Sequence, residues 1–594
     1  MIRRTSARPP GLSFAHKALQ IMGSRRSALD TARGRMVVVS AVFVLAYVLM
    51  AARIVDVTLI QGVLPRYAEG AAEKISSDVP GYVALRGDIT DRNGMLLATS
   101  LETASLYADP AQIPDAPAVA RELVSVFPDL SYDDVLQKLQ RKARFIWIKR
   151  NLTPAQQAQA LKLGHPGLSF KTEYTRIYPG GALAAHIVGY TDIDGRGLAG
   201  IERSFDRNLP GAPPQILTLD IRMQYILRRE LARAVMDFGA GGGAGIIMDV
   251  DNGEVLGAVS LPDFDPQNVG ATQDRQRFNN ATQGVFEMGS TFKIFSTAAL
   301  LELTGAKMSD TFDARQPLKI DGRTINDYHA QNRVLTIPEI FMHSSNIGAA
   351  KMGEKVGTQA LRAFYSDLGL TSPPPLEIDE VGRPLVPNPW RDISTVTAAY
   401  GHGISVSPLQ LVAAASSIVN GGVLVRPTLV LDKAQEKTPG GNAAVGKARI
   451  VSPETAHRMR QLLRLVVTDG TGKAADVPGY EVGGKTGTAE KSVNGRYDRG
   501  LLVSSFIGFF PITAPRYAVL ILVDEPRGTK ASQGYATAGW VAAPAAARVI
   551  QAMGPLVGLA PQNLSAGQDI ETPLKQYVTF EPGKGGVDAS FHDD

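Results

Sequence analysis

The chain contains 594 residues, of which 44% are hydrophobic and 20% are charged, a balance typical of folded proteins. This length exceeds that of one ordinary hydrophobic core and predicts two or more domains. Because the chain has no cysteine, disulfide bonds, thiolate catalysis and cysteine metal sites are excluded. Its eight histidines show no metal-ligand spacing, so we expect neither a metal nor another cofactor.

Positive charge is concentrated at the N terminus. Residues 1–35 form a basic tail with eight Lys or Arg residues and one Asp, a net charge of +7, whereas the whole chain carries +5. The rest of the chain therefore has a net charge of −2. A basic surface of the kind that binds nucleic acid is not expected.

An uncharged segment follows the basic tail. Residues 36–52 are seventeen residues without a charge, the short end of the roughly 17–25 that cross a bilayer as a helix. We predict a transmembrane helix over 36–58, with the basic N terminus in the cytoplasm and the rest of the chain outside. A cleaved signal peptide is the alternative, but it requires a shorter basic region and an A-x-A-like site. A retained, single-pass anchor is favoured.

The region after this segment predicts a first domain over residues 61–217. It begins with turn-rich β sequence that includes an Asn93-Gly94 hairpin signal. Amphipathic helical sequence follows over about 117–160. Pro and Gly residues over 209–214 mark the end of this domain.

A second domain is predicted over residues 218–575. It begins with a helix after Asp220, continues with a hairpin turned at 251–253, and ends in strands and a helix near 538–553. This pattern indicates an α+β fold in which helices cover an antiparallel sheet. The polar residues 576–594 are expected to form a disordered tail.

Three short motifs occur in one order along the second domain, and the first is Ser290-Thr-Phe-Lys293, the one S-x-x-K match in the chain. Apolar sequence over 291–303 predicts a helix, so Ser290 would lie at its start with Lys293 on the same face. A serine hydroxyl is a poor nucleophile and needs a base within hydrogen-bond reach. Alone, the motif is more simply explained by a helix-capping serine and a solvated lysine.

The second motif is Ser344-Ser-Asn346, which precedes a helix-like run. Ser344 can relay a proton, and the Asn346 amide can hold a substrate carbonyl or the lysine. Taken alone, the motif is more simply a capping serine followed by a cap asparagine.

The third motif is Lys485-Thr486-Gly487-Thr488, flanked by glycines and apolar runs that predict a strand of an antiparallel sheet. Gly487 would leave room for a substrate along the strand edge, and Lys485, Thr486 and Thr488 could bind its carboxylate. Alone, the motif would indicate a surface turn. The ordered set of three predicts an acyl-transfer site built on a serine without histidine.

The three motifs resemble those of the penicillin-recognising serine acyltransferases, which include penicillin-binding proteins and serine β-lactamases. Residues 86–94 (RGDITDRNG) and 197–203 (GLAGIER) are similar to the N-terminal pedestal of class B penicillin-binding proteins. Residues 403–410 (GISVSPLQ) and 468–472 (TDGTG) resemble their catalytic domain. The resemblance extends from about residue 80 to about residue 550, and within the class it is to the branch that acts in cell division.

This resemblance implies a multidomain α+β protein with an N-terminal membrane anchor, an elongated β-rich pedestal over 61–217 and a penicillin-binding transpeptidase domain over 218–575. It implies a D,D-transpeptidase that cross-links peptidoglycan stem peptides at the septum through a serine acyl-enzyme and is inhibited by β-lactams. The implied catalytic residues are Ser290, Lys293, Ser344, Asn346 and Lys485, with Thr486, Gly487 and Thr488 binding substrate and the backbone N–H groups of Ser290 and Thr488 forming the oxyanion hole.

The same resemblance implies the bacterial inner membrane as location, with the catalytic domain in the periplasm. No glycosyltransferase module is recognisable, so glycan polymerisation would come from a partner of the FtsW type, alongside other division proteins. The alternatives are an elongation-type transpeptidase, a β-lactamase or β-lactam sensor, and a scaffold with a vestigial site. Class A lactamases carry an E-x-x-L-N motif between the second and third motifs, and no glutamate between 346 and 485 begins that pattern.

Overall fold

The structure, a computed structural model, describes residues 28–55, 85–431, 448–493, 496–562 and 569–579. It separates into two compact units, residues 1–83 and residues 84–594. In the first unit the described element is helix α1 (Ala28–Val55), whose described large apolar side chains are 53–77% exposed. Over the described parts of the chain, no helix is long and apolar enough to cross a membrane. Most of the predicted basic tail, and the end of the predicted span at 56–58, lie outside the described residues.

The second unit contains sixteen described strands. They are β1 (Ile89–Thr90), β2 (Leu96–Ala108), β3 (Ile146–Leu152), β4 (Leu168–Ile177), β5 (Tyr190–Thr191), β6 (Gly197–Ala199), β7 (Gln215–Ile216), β8 (Gly242–Asp249), β9 (Val255–Leu261), β10 (Thr311–Asp313), β11 (Leu318–Ile320), β12 (Arg323–Ile325), β13 (Val334–Thr336), β14 (Gly483–Val493), β15 (Arg496–Phe510) and β16 (Tyr517–Asp524).

Its described α-helices are α2 (Ala116–Val126), α3 (Tyr132–Leu139), α4 (Pro154–Leu161), α5 (Ala185–Val188), α6 (Gly200–Ser204), α7 (Ile221–Asp237), α8 (Asp274–Arg277), α9 (Lys293–Thr304), α10 (Ile337–His343), α11 (Asn346–Val356), α12 (Thr358–Asp367), α13 (Asp392–Ala398), α14 (Pro408–Val419), α15 (Pro453–Thr468) and α16 (Ala542–Met553).

The N-terminal part of this unit is built on a sheet with strand order β3-β2-β1-β7, in which β4 also pairs with β2. Strands β2 and β4 are antiparallel over ten residue pairs, from Thr99↔Ile177 to Ala108↔Leu168. Helices α2, α3 and α4 pack on this sheet around Leu123, Phe127 and Leu139. The helical prediction over 117–160 is wrong at β3, because Ile146–Leu152 pairs with β2 between two helices.

A buried ion cluster joins distant segments of this N-terminal part. Glu202, which is fully buried, accepts hydrogen bonds from Arg86 Nε at 2.5 Å and from Arg176 Nε at 2.6 Å. Two arginines thus neutralise one carboxylate that has no access to water. The cluster holds α6 against β4 and the start of the chain segment that leads into β1.

The C-terminal part contains a five-stranded antiparallel sheet with the order β14-β15-β16-β8-β9. Strand β16 is buried on both faces, since Leu520 and Leu522 belong to one hydrophobic cluster while Val519 and Ile521 belong to the other. This alternation follows the two-residue period of a strand. Helices α7 and α16 cover the second face, and α9, α14 and α15 contribute to the cluster on the first.

Local signals in the sequence position several of these elements. Asp220 caps α7 by accepting from the Arg222 N–H, and Ser452 caps α15 ahead of its first residue, Pro453. The structure therefore has two domains of mixed α and β content, with the antiparallel sheet in the second.

The C-terminal segment continues in ordered structure beyond the predicted boundary at 575. A short 3₁₀ helix covers Thr572–Tyr577, and the Thr579 N–H donates to Glu339 Oε1 at 2.8 Å. The start of the predicted disordered tail at 576 is therefore wrong, because residues 576–579 contact α10 and the residue before it. Residues 580–594 lie outside the described part of the chain.

Candidate active site

The first motif lies at the junction of a tight turn and a helix. Gly289–Phe292 form one turn of 3₁₀ helix, and α9 begins at Lys293, so Ser290 lies in the turn before the α-helix. Lys293 is fully buried, and its Nζ lies 2.8 Å from Ser290 Oγ. The structure therefore brings the predicted nucleophile and its predicted base into hydrogen-bond contact.

Glycine residues allow the first and third motifs to approach each other closely. Gly289 has φ +52°, and a Cβ there would lie 2.7 Å from the carbonyl oxygen of Thr488. A Cβ on Gly487 would lie 2.4 Å from the carbonyl oxygen of Met288. Both distances are shorter than real Cβ contacts, so the backbones can meet here only without side chains.

The second motif forms the link between α10 and α11. Ser344 takes a left-handed conformation with φ +60° at the end of α10. Ser345 caps α11 by accepting from the Gly348 N–H, so the cap is not Ser344. The Ser344 hydroxyl is consequently free to face Lys293, and its Oγ lies 3.2 Å from Lys293 Nζ.

Asp327 supports the link between α10 and α11, a role that the sequence motifs do not predict. Its carboxylate accepts from the Ser345 hydroxyl at 2.8 Å and from the Ile347 N–H at 2.9 Å. These bonds hold the residues on both sides of Asn346. Asp327 lies in a loop outside the three motifs, and no local pattern marks it.

The third motif lies on β14, which is an edge strand of the five-stranded sheet. Lys485 is fully buried, and its Nζ donates to Ser344 Oγ at 3.0 Å. Thr486 Oγ1 lies 2.7 Å from Thr471 Oγ1, and Thr488 Oγ1 accepts from the Ala538 N–H at 3.1 Å. Thr471 is a second residue that sequence reasoning did not assign a role, although the surrounding TDGTG segment carried the family resemblance.

The two buried lysines differ strongly from lysines in water. Burial, and then the nearby charge of Lys485, hold the pKa of Lys293 well below its usual range, while Asp327 opposes this with a smaller effect. Burial lowers the pKa of Lys485 to about 7. An amine in a low-dielectric environment favours its neutral form, so the fold favours the neutral amine of Lys293.

The contacts of Lys293 show where its lone pair points. A neutral amine has two N–H donors, and Nζ lies 2.8 Å from each of two atoms that can only accept, the Ser344 carbonyl oxygen and Asn346 Oδ1. Asn346 Nδ2 donates to the carbonyl of Asn326, which fixes the orientation of this amide. With both N–H groups used, the lone pair faces the Ser290 hydroxyl. The geometry thus provides a base in position to accept the serine proton.

No histidine takes part in this contact set within the described residues. His402 lies nearby between the rings of Tyr400 and Tyr497, and burial together with Lys293 lowers its pKa to about 4. It is therefore neutral and carries no charge to the site. The described residues also contain no group of three or more His, Asp or Glu side chains that could hold a metal ion.

Comparison with known proteins places the chain in a family. Residues 243–551 match the family described as the penicillin-binding protein transpeptidase domain, and residues 82–215 match the penicillin-binding protein dimerisation domain. Both domains of the chain thus match domains of the penicillin-binding proteins, a class of penicillin-recognising acyltransferases. The chain belongs to the class B penicillin-binding proteins, and the family predicted from its motifs is confirmed.

Named relatives agree with this assignment. The chain is 42% identical to the "Probable peptidoglycan D,D-transpeptidase FtsI" of Caulobacter vibrioides, over 81% of this chain and 82% of the relative. It is 29% identical to the "Peptidoglycan D,D-transpeptidase FtsI" of Escherichia coli, over 83% of this chain and 87% of the relative. Penicillin-binding protein 3 of Mycobacterium tuberculosis, solved with ampicillin, has a TM-score of 0.65 at 25% identity and covers 82% of this chain and 98% of its own.

Proposed function

We propose that the protein is a peptidoglycan D,D-transpeptidase that cross-links stem peptides during cell division through an acyl-enzyme on Ser290. The observation that carries this proposal is the fully buried amine of Lys293, which lies 2.8 Å from Ser290 Oγ and also 2.8 Å from two atoms that can only accept, the Ser344 carbonyl oxygen and Asn346 Oδ1. The relatives named FtsI support the substrate class and the division role.

In acylation, Ser290 Oγ attacks the carbonyl carbon of the penultimate D-Ala while Lys293 Nζ accepts its proton. The backbone N–H groups of Ser290 and Thr488 stabilise the negative charge on the carbonyl oxygen. The C–N bond to the terminal D-Ala then breaks, and its nitrogen receives a proton from Lys293, directly or through the Ser344 hydroxyl. Ser344 serves this transfer because its Oγ lies 3.2 Å from Lys293 Nζ and 3.0 Å from Lys485 Nζ.

Substrate recognition and the second half-reaction follow from the third motif. Lys485, Thr486 and Thr488 bind the terminal carboxylate, and Gly487 lets the peptide lie along the edge of β14. An amine of a neighbouring stem peptide then attacks the acyl carbon while Lys293 accepts a proton from this amine. The bond between the acyl carbon and Ser290 Oγ breaks, and Lys293 returns the proton to Oγ. A β-lactam acylates Ser290 in the same way, but its leaving nitrogen remains attached to the acyl group and blocks the incoming amine.

The test is covalent labelling with a fluorescent penicillin, followed by intact mass over time. We expect one adduct, on Ser290, that lasts much longer than a catalytic turnover. Ser290→Ala is the matched control and should be folded and unlabelled. Rapid hydrolysis of the drug would favour the β-lactamase alternative, and labelling of the folded Ser290→Ala protein would refute the assignment of the nucleophile.

The division role is distinguished from the elongation-type alternative by depletion. If the protein acts at the septum, depleted cells should continue to grow and form filaments. Round cells, or cells without control of their width, would support the elongation-type role instead.

The proposal includes a single-pass anchor in the bacterial inner membrane, with residues 1–35 in the cytoplasm, a span over 36–58 and the domains over 61–217 and 218–575 in the periplasm. It is supported by the uncharged sequence 36–52 and by the exposed apolar side chains of α1, which would be unfavourable in water. A membrane-bound glycan polymerase of the FtsW type and other division proteins are the proposed partners. Deleting residues 1–60 should abolish function in the cell and leave penicillin acylation intact, whereas full function of the truncated chain would contradict the anchor.

A further inference from the structure

The C-terminal strap, residues 569–579, packs on the catalytic domain although it is distant from all three motifs in the sequence. It contains the 3₁₀ helix Thr572–Tyr577. Leu574 and Val578 of the strap are buried in the same hydrophobic cluster as Ile340 of α10. No strap residue has been given a role in the reaction above. The strap nevertheless contacts the segments that lead to the second and third motifs.

The last residues of the strap hold the start of α10. The Tyr577 carbonyl accepts from the Thr336 hydroxyl at 2.8 Å, and the Thr579 N–H donates to Glu339 Oε1 at 2.8 Å. Glu339 is buried, and its Oε2 accepts from the Thr336 N–H at 2.9 Å. Thr336 and Glu339 form the capping box of α10. The strap therefore binds both residues that fix where this helix begins.

Helix α10 connects this attachment to the second motif. Ile337–His343 is a helix of seven residues, about 10 Å long, and Ser344 follows directly at its end. The Ser344 N–H donates to the Ile340 carbonyl, so the backbone of Ser344 is bonded to the helix. Because a helix this short moves as a unit, the position of its first turn determines the position of Ser344 Oγ.

The earlier part of the strap is attached to α15 and to the residue that follows it. The Ile570 carbonyl accepts from Gln461 Nε2 of α15 at 3.0 Å. Lys575 Nζ lies 3.7 Å from Asp469 Oδ2, directly after the end of α15. The strap thus connects α10 with α15 and the start of the TDGTG segment.

The two attached segments meet again in the active site. Thr471, two residues after Asp469, contacts Thr486 of the third motif at 2.7 Å. Lys485, the neighbour of Thr486, donates from Nζ to Ser344 Oγ at 3.0 Å. A hydrogen bond needs a donor–acceptor distance below about 3.2 Å, so a displacement of Ser344 by about 1 Å would break this contact. The strap therefore lies where it can fix the second motif relative to the third.

We propose that the C-terminal strap is a positioning element of the transpeptidase reaction. Glu339 is the positioning residue through which the strap holds the Ser344 hydroxyl between the two buried lysines. This inference rests on the proposed function. Detachment of the strap leaves Ser290 and Lys293 in contact, since both lie where α9 begins, but it releases the hydroxyl that Lys293 and Lys485 share.

The test removes one N–H group from the strap. Thr579→Pro deletes the donor to Glu339, because proline has no backbone N–H. Val578, with φ −113° and ψ 127°, already has the conformation of a residue that precedes proline. Thr579→Ala is the matched control, since it changes the side chain and keeps the N–H. We expect the proline variant to be acylated about 10-fold more slowly than the alanine variant, the size of one hydrogen bond.

The measurement is the second-order rate constant for acylation of the full-length protein, in detergent, by a fluorescent penicillin. It is made well below the Tm of every variant, so that all of them are folded. Both substitutions are then repeated in a Ser344→Ala background. There the alanine-to-proline rate ratio should be close to one, because the hydroxyl that the strap positions has been removed. A merely structural effect would give the same ratio in both backgrounds and would overturn the inference.

Deletion of the whole strap tests the same inference with a larger change. Deleting residues 569–594 should lower the acylation rate constant by about 100-fold, whereas deleting residues 580–594 alone, the control, should leave it unchanged. A folded protein without the strap that is acylated at the wild-type rate would overturn the inference. Equal rates for Thr579→Pro and Thr579→Ala, with a wild type that takes penicillin, would also overturn it and leave the proposed function standing. A wild type that takes no penicillin would refute the proposed function itself.

Discussion

Lys293 and Lys485 direct their amines to the same hydroxyl group, that of Ser344, from 3.2 and 3.0 Å. Both lysines are fully buried, so each raises the cost of a positive charge on the other. Only one of the two amines can easily be charged at a time. We therefore expect Lys293 to be the neutral amine of the pair and Lys485 to be the amine that binds an anion.

This coupling predicts the acidic limb of the pH profile for acylation. The charge of Lys485 lowers the pKa of Lys293, so a neutral replacement such as Lys485→Met should raise that pKa and move the acidic limb to higher pH. The measurement is the second-order rate constant of penicillin acylation from about pH 5 to pH 9. An unmoved limb would mean that Lys485 does not tune the base.

The same substitution should affect stability in a pH-dependent way. Lys485 has a pKa of about 7 in the fold, against about 10.4 when exposed in the unfolded chain, so unfolding takes up a proton between these values. The contribution of this lysine to the free energy of unfolding of the protein therefore decreases as the pH is lowered from about 10 towards 7. Lys485→Met removes this penalty, and its Tm relative to wild type should be higher at pH 7 than at pH 9.5.

The diagnostic quantity is the difference between the Tm change at pH 7 and the Tm change at pH 9.5. The substitution also removes the hydrogen bond to Ser344, but this loss costs the same at both pH values. Lys319→Met, at an exposed lysine, is the control and should show no such difference. A Tm change for Lys485→Met that is equal at both pH values would contradict the depressed pKa.

The close approach at Gly289 predicts a large loss of activity from one added methyl group. Gly289→Ala would place Cβ 2.7 Å from the Thr488 carbonyl oxygen and push the nucleophile turn away from β14. We expect penicillin acylation to fall by at least about 100-fold, because small displacements of reacting groups have effects of this size. Gly305→Ala is the matched control, since Gly305 also has positive φ but its added Cβ would meet no atom within 4 Å. It should lose about 1–2 kcal/mol of stability and keep acylation. Similar acylation in both variants would argue against the steric explanation.

The buried cluster around Glu202 predicts a strong effect on stability in the N-terminal domain. Glu202→Gln removes the charge that Arg86 and Arg176 share, which leaves Arg176 buried without its carboxylate partner and Arg86 paired with Asp206 alone. We expect a loss of about 3–5 kcal/mol, measured by chemical denaturation. Arg144→Ala breaks an ion pair whose arginine is 77% exposed, and should cost less than about 1 kcal/mol. Equal effects of the two substitutions would contradict the importance of burial.

Much of the fold follows from local sequence signals. The caps at Asp220 and Ser452 and the hairpin between β8 and β9 are determined by a few neighbouring residues, so they could be predicted. Strand β3 could not, because Ile146–Leu152 is defined by pairing with β2, which lies about forty residues earlier in the chain. The order at 576–579 likewise depends on a distant partner, Glu339.

The residues of the site likewise fall into two groups, those that the local sequence predicts and those whose contacts depend on distant segments. Spacing alone predicts that Ser290 and Lys293 share one side of a helical turn, and the structure shows their contact. Asp327 and Thr471 act through contacts with residues of other segments, which only the folded chain brings together. The burial of Lys293 is likewise a property of the folded chain, because the short motif does not itself show that this side chain is inaccessible to water.

Ser344 is a position where the needs of the backbone and of the chemistry conflict. A left-handed conformation costs an L-residue about 1–2 kcal/mol, and glycine would avoid that cost. Glycine would also remove the one oxygen that both lysines reach. A Ser344→Gly variant should therefore relieve the backbone strain, lose the hydrogen bond from Lys485 and acylate poorly, so thermal stability alone is a misleading guide when drug-insensitive forms of this enzyme are sought.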